Sequence, residues 1–162
     1  MYSMRLRFIL GIIGIFIVLI ISFLLFLLVR NSFHLASSKN PTVAIDNHTF
    51  TVEVAKTAID AEKGLSGRDS LGQNNGMLFQ FNHPDTYSFW MRNMRFPIDI
   101  IYIRSKKIIN IYKNVPTVPP DTDESNIPQL RPTQPADSVV EINAGLSQKY
   151  NFKEGDSVSL SL

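Results

Sequence analysis

Two hydrophobic patterns divide the chain. Residues 8–29 are apolar on every face and carry no charge. As a helix they would reach about 33 Å, enough to cross a hydrocarbon core of about 30 Å. Further along, apolar and polar positions alternate with period two, which predicts half-buried β-strands. The patterns therefore predict a cytoplasmic N-terminus (residues 1–7), a transmembrane anchor (8–29), a linker (30–41) and a β domain (42–162).

A cleaved signal peptide is the alternative to an anchor. The apolar run is longer than the apolar core of about 7–15 residues in secretory signals, and the small residues 36–38 lie far beyond its end. Arg5 and Arg7 precede the run, while Arg30 and Lys39 follow it. This balance slightly favours a cytoplasmic N-terminus. We expect a single-pass plasma-membrane protein with its N-terminus inside and its domain outside the cytoplasm.

The β domain is predicted to contain short strands and little helix. Strands are expected at residues 43–46, 49–54, 77–81, 87–94, 98–103, 107–115, 138–143 and 157–162. Thr57 is a candidate N-cap for a short helix that Gly64 ends, and residues 144–150 suit one helical turn. Residues 116–137 hold most of the nine Pro, which predicts an irregular connection. The predicted fold is mainly β: a compact antiparallel β-barrel or sandwich with one or two short helices, preceded by one transmembrane helix.

Composition excludes several classes of function. The chain has no Cys, which excludes disulfides and thiolate chemistry. All 14 acidic residues but not all 16 basic residues follow residue 40, so the domain is slightly acidic and nucleic-acid binding is not expected. His34, His48 and His83 are scattered and form no ligand pair, so we expect no metal and no cofactor.

Asp99 is the most informative carboxylate. Both alternating faces of residues 98–103 are apolar, so the side chain is predicted to be buried and to need a partner. It is either an acid, a base or a ligand-binding acceptor, or a structural group. In the structural role, which the sequence favours, it accepts backbone N–H groups after Pro97 or pairs with Arg92 or Arg95.

Glu141 is a second candidate. It lies on the strand face opposite Val140 and Ile142, where an exposed glutamate is the simpler interpretation. If it converged with Asp99, the two carboxylates could divide general acid and general base roles.

Two further features have a functional and a structural interpretation. Residues 64–68 (GLSGR) could present Arg68 and backbone amides to an anion, although a helix C-cap followed by a turn also explains the glycines. Trp90, the only Trp, could form the floor of a ligand pocket or serve aromatic packing.

Six short motifs carry a resemblance to a known family. They are GLSGR (64–68), GMLFQF (76–81), FWMRN (89–93), PIDIIYI (97–103), VVEINAG (139–145) and KEGD (153–156). In this order they resemble the DUF192 family, also called UPF0127. The resemblance implies a small bacterial or archaeal protein with a compact β-rich fold, often with an N-terminal signal or membrane segment, and implies no established activity. The motif positions are Gly64, Arg68, Gly76, Trp90, Arg92, Asn93, Pro97, Asp99, Glu141, Gly145, Gly155 and Asp156.

The candidate site residues follow from the residues and the resemblance together. The binding candidates are Arg68, Trp90, Arg92, Asn93 and Asp99, and the catalytic candidates are Asp99 and Glu141. The chain departs from the family pattern at Ser66, where Met is common, and at residues 131–133, where a Tyr-Pro-Ser-like element is usual.

Three functional hypotheses remain open. The favoured one is a membrane-anchored, extracytoplasmic module that binds an anionic small ligand or an envelope protein, because no catalytic constellation is assembled in the sequence. The second is a hydrolase-like enzyme acting on an envelope polymer through Asp99 and Glu141, with Arg68 or Arg92 binding an anion. The third is a scaffold whose function lies in residues 116–137.

Overall fold

The computed structural model of the protein describes residue 15, residues 17–27 and residues 40–162. Residues 17–27 are helical and lie inside the predicted anchor. The remainder of the anchor and the segments on either side of it fall outside the described residues. Within the described residues, no helix combines the length and the apolar character needed to cross a membrane. The transmembrane span therefore stays a prediction.

Residues Asn40–Leu162 form one compact unit built on a curled sheet. Its elements are β1 (Thr42–Ile45), β2 (His48–Ala55), α1 (Ala58–Lys63), β3 (Asn75–Asp85), β4 (Ile98–Arg104), β5 (Lys107–Val115), a 3₁₀ turn (Glu124–Asn126), β6 (Ala136–Asn143), α2 (Leu146–Lys149) and β7 (Val158–Ser161). The strand order is β5-β4-β6-β3-β2-β1-β7. A bridge between Lys107 and Ser157 joins the two outer ends, which gives a half-barrel.

The predicted mainly β fold is confirmed, with one difference in strand direction. Neighbouring strands are antiparallel except for β2 and β3, which run parallel. A parallel pair needs a crossover connection. Here the connection contains α1, and this helix lies beside the site described below.

Local chemistry explains where several elements begin and end. The hydroxyl of Thr57 accepts a hydrogen bond from the Asp60 amide, and the Asp60 carboxylate accepts one from the Thr57 amide, so α1 begins with a capping box. Gly64 ends the helix at a φ of 50°. The β4–β5 hairpin turns at Ser105 and Lys106, both in the left-handed region that two-residue hairpins require.

One predicted strand is longer than expected, and another does not form. β3 continues through residues 82–85, because Asp85 resumes the pairing with Ala136 after a break in register. Residues 87–94 run as irregular chain that pairs only at Phe89 and Leu130 within the described domain. Their alternating pattern reflects side-chain burial rather than a strand.

Strands β4 and β6 lie between two hydrophobic cores. The first core includes Phe50, Leu78, Ile101, Ile103, Val140, Ile142 and Phe152. The second core includes Leu65, Met77, Phe79, Ile100, Tyr102 and Val139, and is covered by the segment that contains Met91 and Met94. Because side chains alternate between the faces of a sheet, successive residues of β4 and β6 enter different cores.

Candidate functional site

The two candidate carboxylates lie on opposite faces of the sheet. Asp99 pairs with Ile142 in the β4–β6 register, and Ile100 pairs with Glu141. Paired residues share a face and successive residues alternate, so Asp99 projects into the first core and Glu141 into the second. Both are buried, with exposures of 0 % and 5 %. The predicted acid–base pair is therefore not formed, and a hydrolase mechanism that uses both residues together does not fit this fold.

The Asp99 carboxylate accepts hydrogen bonds from three backbone amides. Its Oδ1 accepts hydrogen bonds from the amides of Asn114 (2.7 Å) and Gly145 (3.1 Å), and its Oδ2 accepts one from the Ser147 amide (2.7 Å). These bonds join the end of β5 to the start of α2. Asp99 thus makes contacts of the structural kind, with donors that are distant in sequence rather than the residues directly after Pro97.

Arg92 and Arg95 find other partners. Arg92 lies 3.0 Å from Glu124 and 3.7 Å from Glu62, measured between side-chain nitrogen and oxygen. Arg95 pairs with Asp69 at the surface. The predicted pairing of either arginine with the buried aspartate of β4 is wrong, because backbone amides already satisfy that aspartate.

The side chain of Glu141 belongs to the lining of a pocket of about 120 Å³. Its walls come from α1 and the turn after it, from β3, and from the irregular segment that follows β3. Five aromatic residues line it: Phe79, Phe81, Tyr87, Phe89 and Trp90. The pocket thus combines apolar walls with one buried carboxyl group, a composition typical of small-molecule sites.

The Glu141 carboxyl has an unusual environment. Its Oε2 is buried and has no hydrogen-bond partner among the residues that the structure describes. Burial raises the pKa of Glu141 to about 8, and the positive charge of Arg68 only partly opposes this effect. Buried polar atoms are almost always paired, and a perturbed pKa in a cleft is a mark of functional sites.

Gly64 leaves room above this carboxyl. A Cβ at this position would lie 3.5 Å from the Phe79 ring and 3.9 Å from Oε2 of Glu141. The φ of 50° also favours glycine. The residue that ends α1 is therefore also part of the pocket wall.

The aromatic walls support one another. Phe81 and Tyr87 stack with ring centroids 3.5 Å apart. Phe79 and Phe89 meet edge to face at 4.9 Å, and Phe89 in turn meets Tyr102 at 5.8 Å. Such pairs are preferred aromatic geometries, so the rings of the pocket wall hold one another in place.

The hydroxyl groups at the pocket are already bonded. Ser66 donates to the carbonyl of Arg92 at 2.7 Å, and Ser88 donates to Oε1 of Gln129 at 2.6 Å. Among the described residues, no group of three His, Asp or Glu side chains is close enough to hold a metal ion.

The predicted binding residues fall into different places. Trp90 lines the pocket, and the guanidinium of Arg92 lies 5.1 Å from the centroid of its ring. Arg68 forms a two-point ion pair with Glu53, with contacts of 2.5 and 2.8 Å. Asn93 lines a separate depression and uses its carbonyl to accept a bond from Gly67.

Sequence reasoning missed the burial of Glu141 and the pocket role of Gly64. The signal was present in residues 139–142, where Val139, Val140 and Ile142 make both faces apolar, as they are around Asp99. A glutamate in such a run is predicted to be buried. The convergence of the aromatic residues has no comparable local signal.

Two solved structures are similar to this chain. One is a protein of unknown function from Novosphingobium aromaticivorans DSM 12444, with 36 % identity, a TM-score of 0.64, and coverage of 73 % of this chain and 83 % of that one. The other, from Sinorhizobium meliloti 1021, is described as a proposed transcription regulator, with 28 % identity, a TM-score of 0.63, and coverage of 74 % and 91 %. The fold is therefore shared with proteins that do not supply a function for it.

The family comparison is consistent with the motifs. A search of curated proteins gives no significant match. Residues 41–160 match the family model DUF192, described as "Uncharacterized ACR, COG1430". This match spans nearly all of the β domain, including both buried carboxylates and the aromatic pocket, and the chain therefore belongs to the DUF192 family.

Proposed function

We propose that the protein is a membrane-anchored, extracytoplasmic module whose β domain binds a small organic ligand in the pocket at Glu141. One observation carries the proposal: Glu141, a buried carboxyl group with one oxygen that has no partner among the described residues, is part of the lining of an aromatic-walled cavity. An apolar cavity of about 150 Å³ accepts a benzene-sized molecule. At about 120 Å³, the pocket suits one small chemical group rather than a length of polymer.

Binding is favoured over catalysis by the surroundings of Glu141. Asp99 lies on the other face of the sheet, and the hydroxyls of Ser66 and Ser88 are engaged elsewhere. A general acid or base needs a second group that attacks or stabilises the reacting atoms. Among the described pocket residues, neither serine therefore offers a free hydroxyl as a nucleophile beside Glu141.

The anchoring part of the proposal rests on the apolar run of residues 8–29. The described portion of that run is helical, as a membrane span requires.

Trp90 provides a direct test of ligand binding. It is the only Trp in the chain and it lines the pocket, so its emission reports occupancy without a label. Full-length protein in mild detergent is titrated with small amines, alcohols and carboxylic acids. We expect a saturable change with at least one class. Gly64→Ala, which narrows the cavity, should weaken the response. Gly67→Ala, whose added Cβ meets no described atom within 4 Å, should leave the response near wild type.

Two results would contradict ligand binding in this pocket. The first is an emission that responds to no compound class. The second is a response of equal strength in Gly64→Ala and wild type, which would place the ligand elsewhere.

The absence of Cys allows a clean test of topology. Glu154 is exposed in the domain, and Ser3 lies before the apolar run. We expect Glu154→Cys to react with a membrane-impermeant maleimide on intact cells, and Ser3→Cys to react only after lysis. The reverse pattern, or release of the protein by alkaline carbonate, would contradict the proposed anchoring.

A further inference from the structure

The Glu141 carboxyl has an oxygen without a hydrogen-bond donor among the described residues, and a ligand could supply that donor. A Cβ on Gly64 would lie close to both Oε2 of Glu141 and the ring of Phe79, and neither Gly64 nor Phe79 has a side-chain donor. An ionised carboxylate only accepts hydrogen bonds. A group that satisfies the carboxyl in its ionised form therefore brings its own N–H or O–H.

The aromatic walls favour a positive charge on that group. Ring faces attract cations, and more strongly where water is excluded. Trp90 already has the guanidinium of Arg92 5.1 Å from its ring centroid. The other four rings offer apolar surface to carbon atoms bonded to a charged nitrogen. A ligand with a charged nitrogen and attached carbon atoms contacts the aromatic walls and the Glu141 carboxyl at the same time.

The charges around the pocket agree with this choice. The charged and titratable groups near Glu141 are Glu53, Glu62, Lys63, Arg68, Tyr87, Arg92, Tyr102 and Glu124. Arg68 is engaged by Glu53, and Arg92 is engaged by two glutamates. Both guanidiniums are thus engaged by acidic partners, and in the pocket lining the charge of Lys63 is balanced by that of Glu62, so an anion would meet the Glu141 carboxyl without an uncommitted arginine to offset it.

We propose that the pocket recognises a small alkylammonium group. The ammonium N–H donates to the Glu141 carboxylate, and the carbon atoms attached to the nitrogen lie against the aromatic walls. This assignment rests on the proposed ligand-binding function and names the chemical class of the ligand. It replaces the anionic ligand that the arginines suggested in the sequence.

The proposal links binding to a proton. With the pocket empty, burial raises the pKa of Glu141 to about 8, so the carboxyl is mostly protonated at neutral pH. An alkylammonium, with a pKa near that of a lysine at about 10.4, stays charged in this range. Binding must therefore displace the carboxyl proton. The affinity should rise about tenfold per pH unit below pH 8 and level off above it.

Three four-carbon probes separate the alternatives. Butylammonium, 1-butanol and butyrate are titrated into full-length protein in detergent at about pH 6, 7 and 8.5, with Trp90 emission as the readout. We expect butylammonium to bind most tightly and to gain affinity as the pH rises. Glu141→Gln, which keeps the side-chain shape, should weaken butylammonium at least tenfold and remove its pH dependence. Lys63→Gln, which removes a positive charge from the pocket lining, should tighten it modestly.

The possible failures are distinct. Tighter binding of 1-butanol or butyrate than of butylammonium would overturn the ammonium assignment and leave ligand binding intact. Unchanged butylammonium affinity in Glu141→Gln would overturn the assignment in the same way. If none of the three probes changed Trp90 emission at any pH, both the assignment and the proposed function would be contradicted.

Discussion

Asp99 and Glu141 are two buried carboxylates on neighbouring strands with opposite surroundings. Asp99 accepts three backbone hydrogen bonds, which compensate for the loss of water around its charge. Glu141 is almost as deeply buried, yet its Oε2 finds no donor within the described domain. Burial is therefore a poor guide to function here. The number of hydrogen bonds that each carboxylate receives separates the structural group from the candidate binding group.

The contrast extends to what each residue does for the fold. The bonds to Asp99 join β5 and α2, so removing this carboxylate leaves three amides to be satisfied again. The Oε2 of Glu141 accepts no hydrogen bond from the described residues, so this oxygen links no elements of the fold. The desolvation of the carboxyl lowers the free energy of unfolding. A residue that stays in a position unfavourable for stability is expected at functional sites.

Asp99→Ala should give the largest effect. It removes the acceptor for three amides, one of them on the fully buried Ser147. Each unsatisfied buried donor costs about 1–3 kcal/mol. We expect the free energy of unfolding to fall by about 3–6 kcal/mol, measured by urea unfolding. Asp69→Ala, which removes an exposed carboxylate, is the matched control. A loss below about 1 kcal/mol for Asp99→Ala would contradict the structural role.

Glu141→Gln should act in the opposite direction at alkaline pH. Glu141 has a folded-state pKa of about 8, against 4.5 without burial. Between these values the folded state holds a proton that the unfolded state has released, so the wild type loses stability as the pH rises, by about 1.4 kcal/mol per unit. Relative to wild type, the variant should gain about 3 kcal/mol between pH 5 and pH 8.

The comparison is made by urea unfolding of both proteins at several pH values. Pairing the two proteins cancels the contribution of every other titrating group. Parallel stability curves for Glu141→Gln and wild type would show that this carboxyl is not desolvated, and the contrast with Asp99 would disappear.

Gly64→Ala and Gly67→Ala should separate backbone strain from pocket filling. Both positions have a positive φ, 50° and 76°, so both substitutions should cost about 1–3 kcal/mol in stability. Only the methyl group at Gly64 approaches Phe79 and Glu141. We therefore expect similar thermal stabilities but different ligand affinities. Equal affinities in the two variants would contradict the position of the pocket.

Arg68→Gln should give the smallest change in stability and a directional change in titration. The pair with Glu53 is partly exposed, so its loss should cost less than about 1 kcal/mol. The positive charge of Arg68 lowers the pKa of Glu141. Without Arg68, the loss of stability caused by the titration of Glu141 should therefore extend to higher pH. Arg95→Gln, which breaks an exposed pair with Asp69, should leave the pH range of this loss unchanged. A shift to lower pH in Arg68→Gln would contradict this assignment.

Most of the fold could be predicted from local patterns. Alternation located β1, β2 and the β4–β5 hairpin, and Thr57 and Gly64 marked the ends of α1. These features depend on residues close in sequence. The parallel pairing of β2 with β3 could not be predicted, because pairing depends on contacts between distant segments. The alternation in residues 87–94 was misleading, because a loop that packs against a core shows the same pattern as a strand.

The site was predictable only in part. Asp99 was recognised because apolar residues occupy both faces of its strand. The same argument applies to Glu141, but it was placed on the face opposite Val140 and Ile142 and interpreted as exposed. The partners of Asp99 lie at least 15 residues away in the sequence, and the aromatic walls converge from β3 and from the segment after it. Such long-range geometry carries no signature in the sequence.

The most direct test is a carbon-13 NMR titration of the Glu141 carboxyl carbon in the ligand-free, full-length protein. Glutamate labelled at Cδ gives one signal per residue, and Glu141→Gln assigns the relevant one by its loss. We expect the Glu141 carboxyl to titrate with a midpoint near pH 8, well above the value of 4.5 for a solvated glutamate. A midpoint at or below about 4.5 would show a solvated or hydrogen-bonded carboxylate. It would contradict the central claim that the Glu141 carboxyl is desolvated and lacks a hydrogen-bond donor in the ligand-free protein.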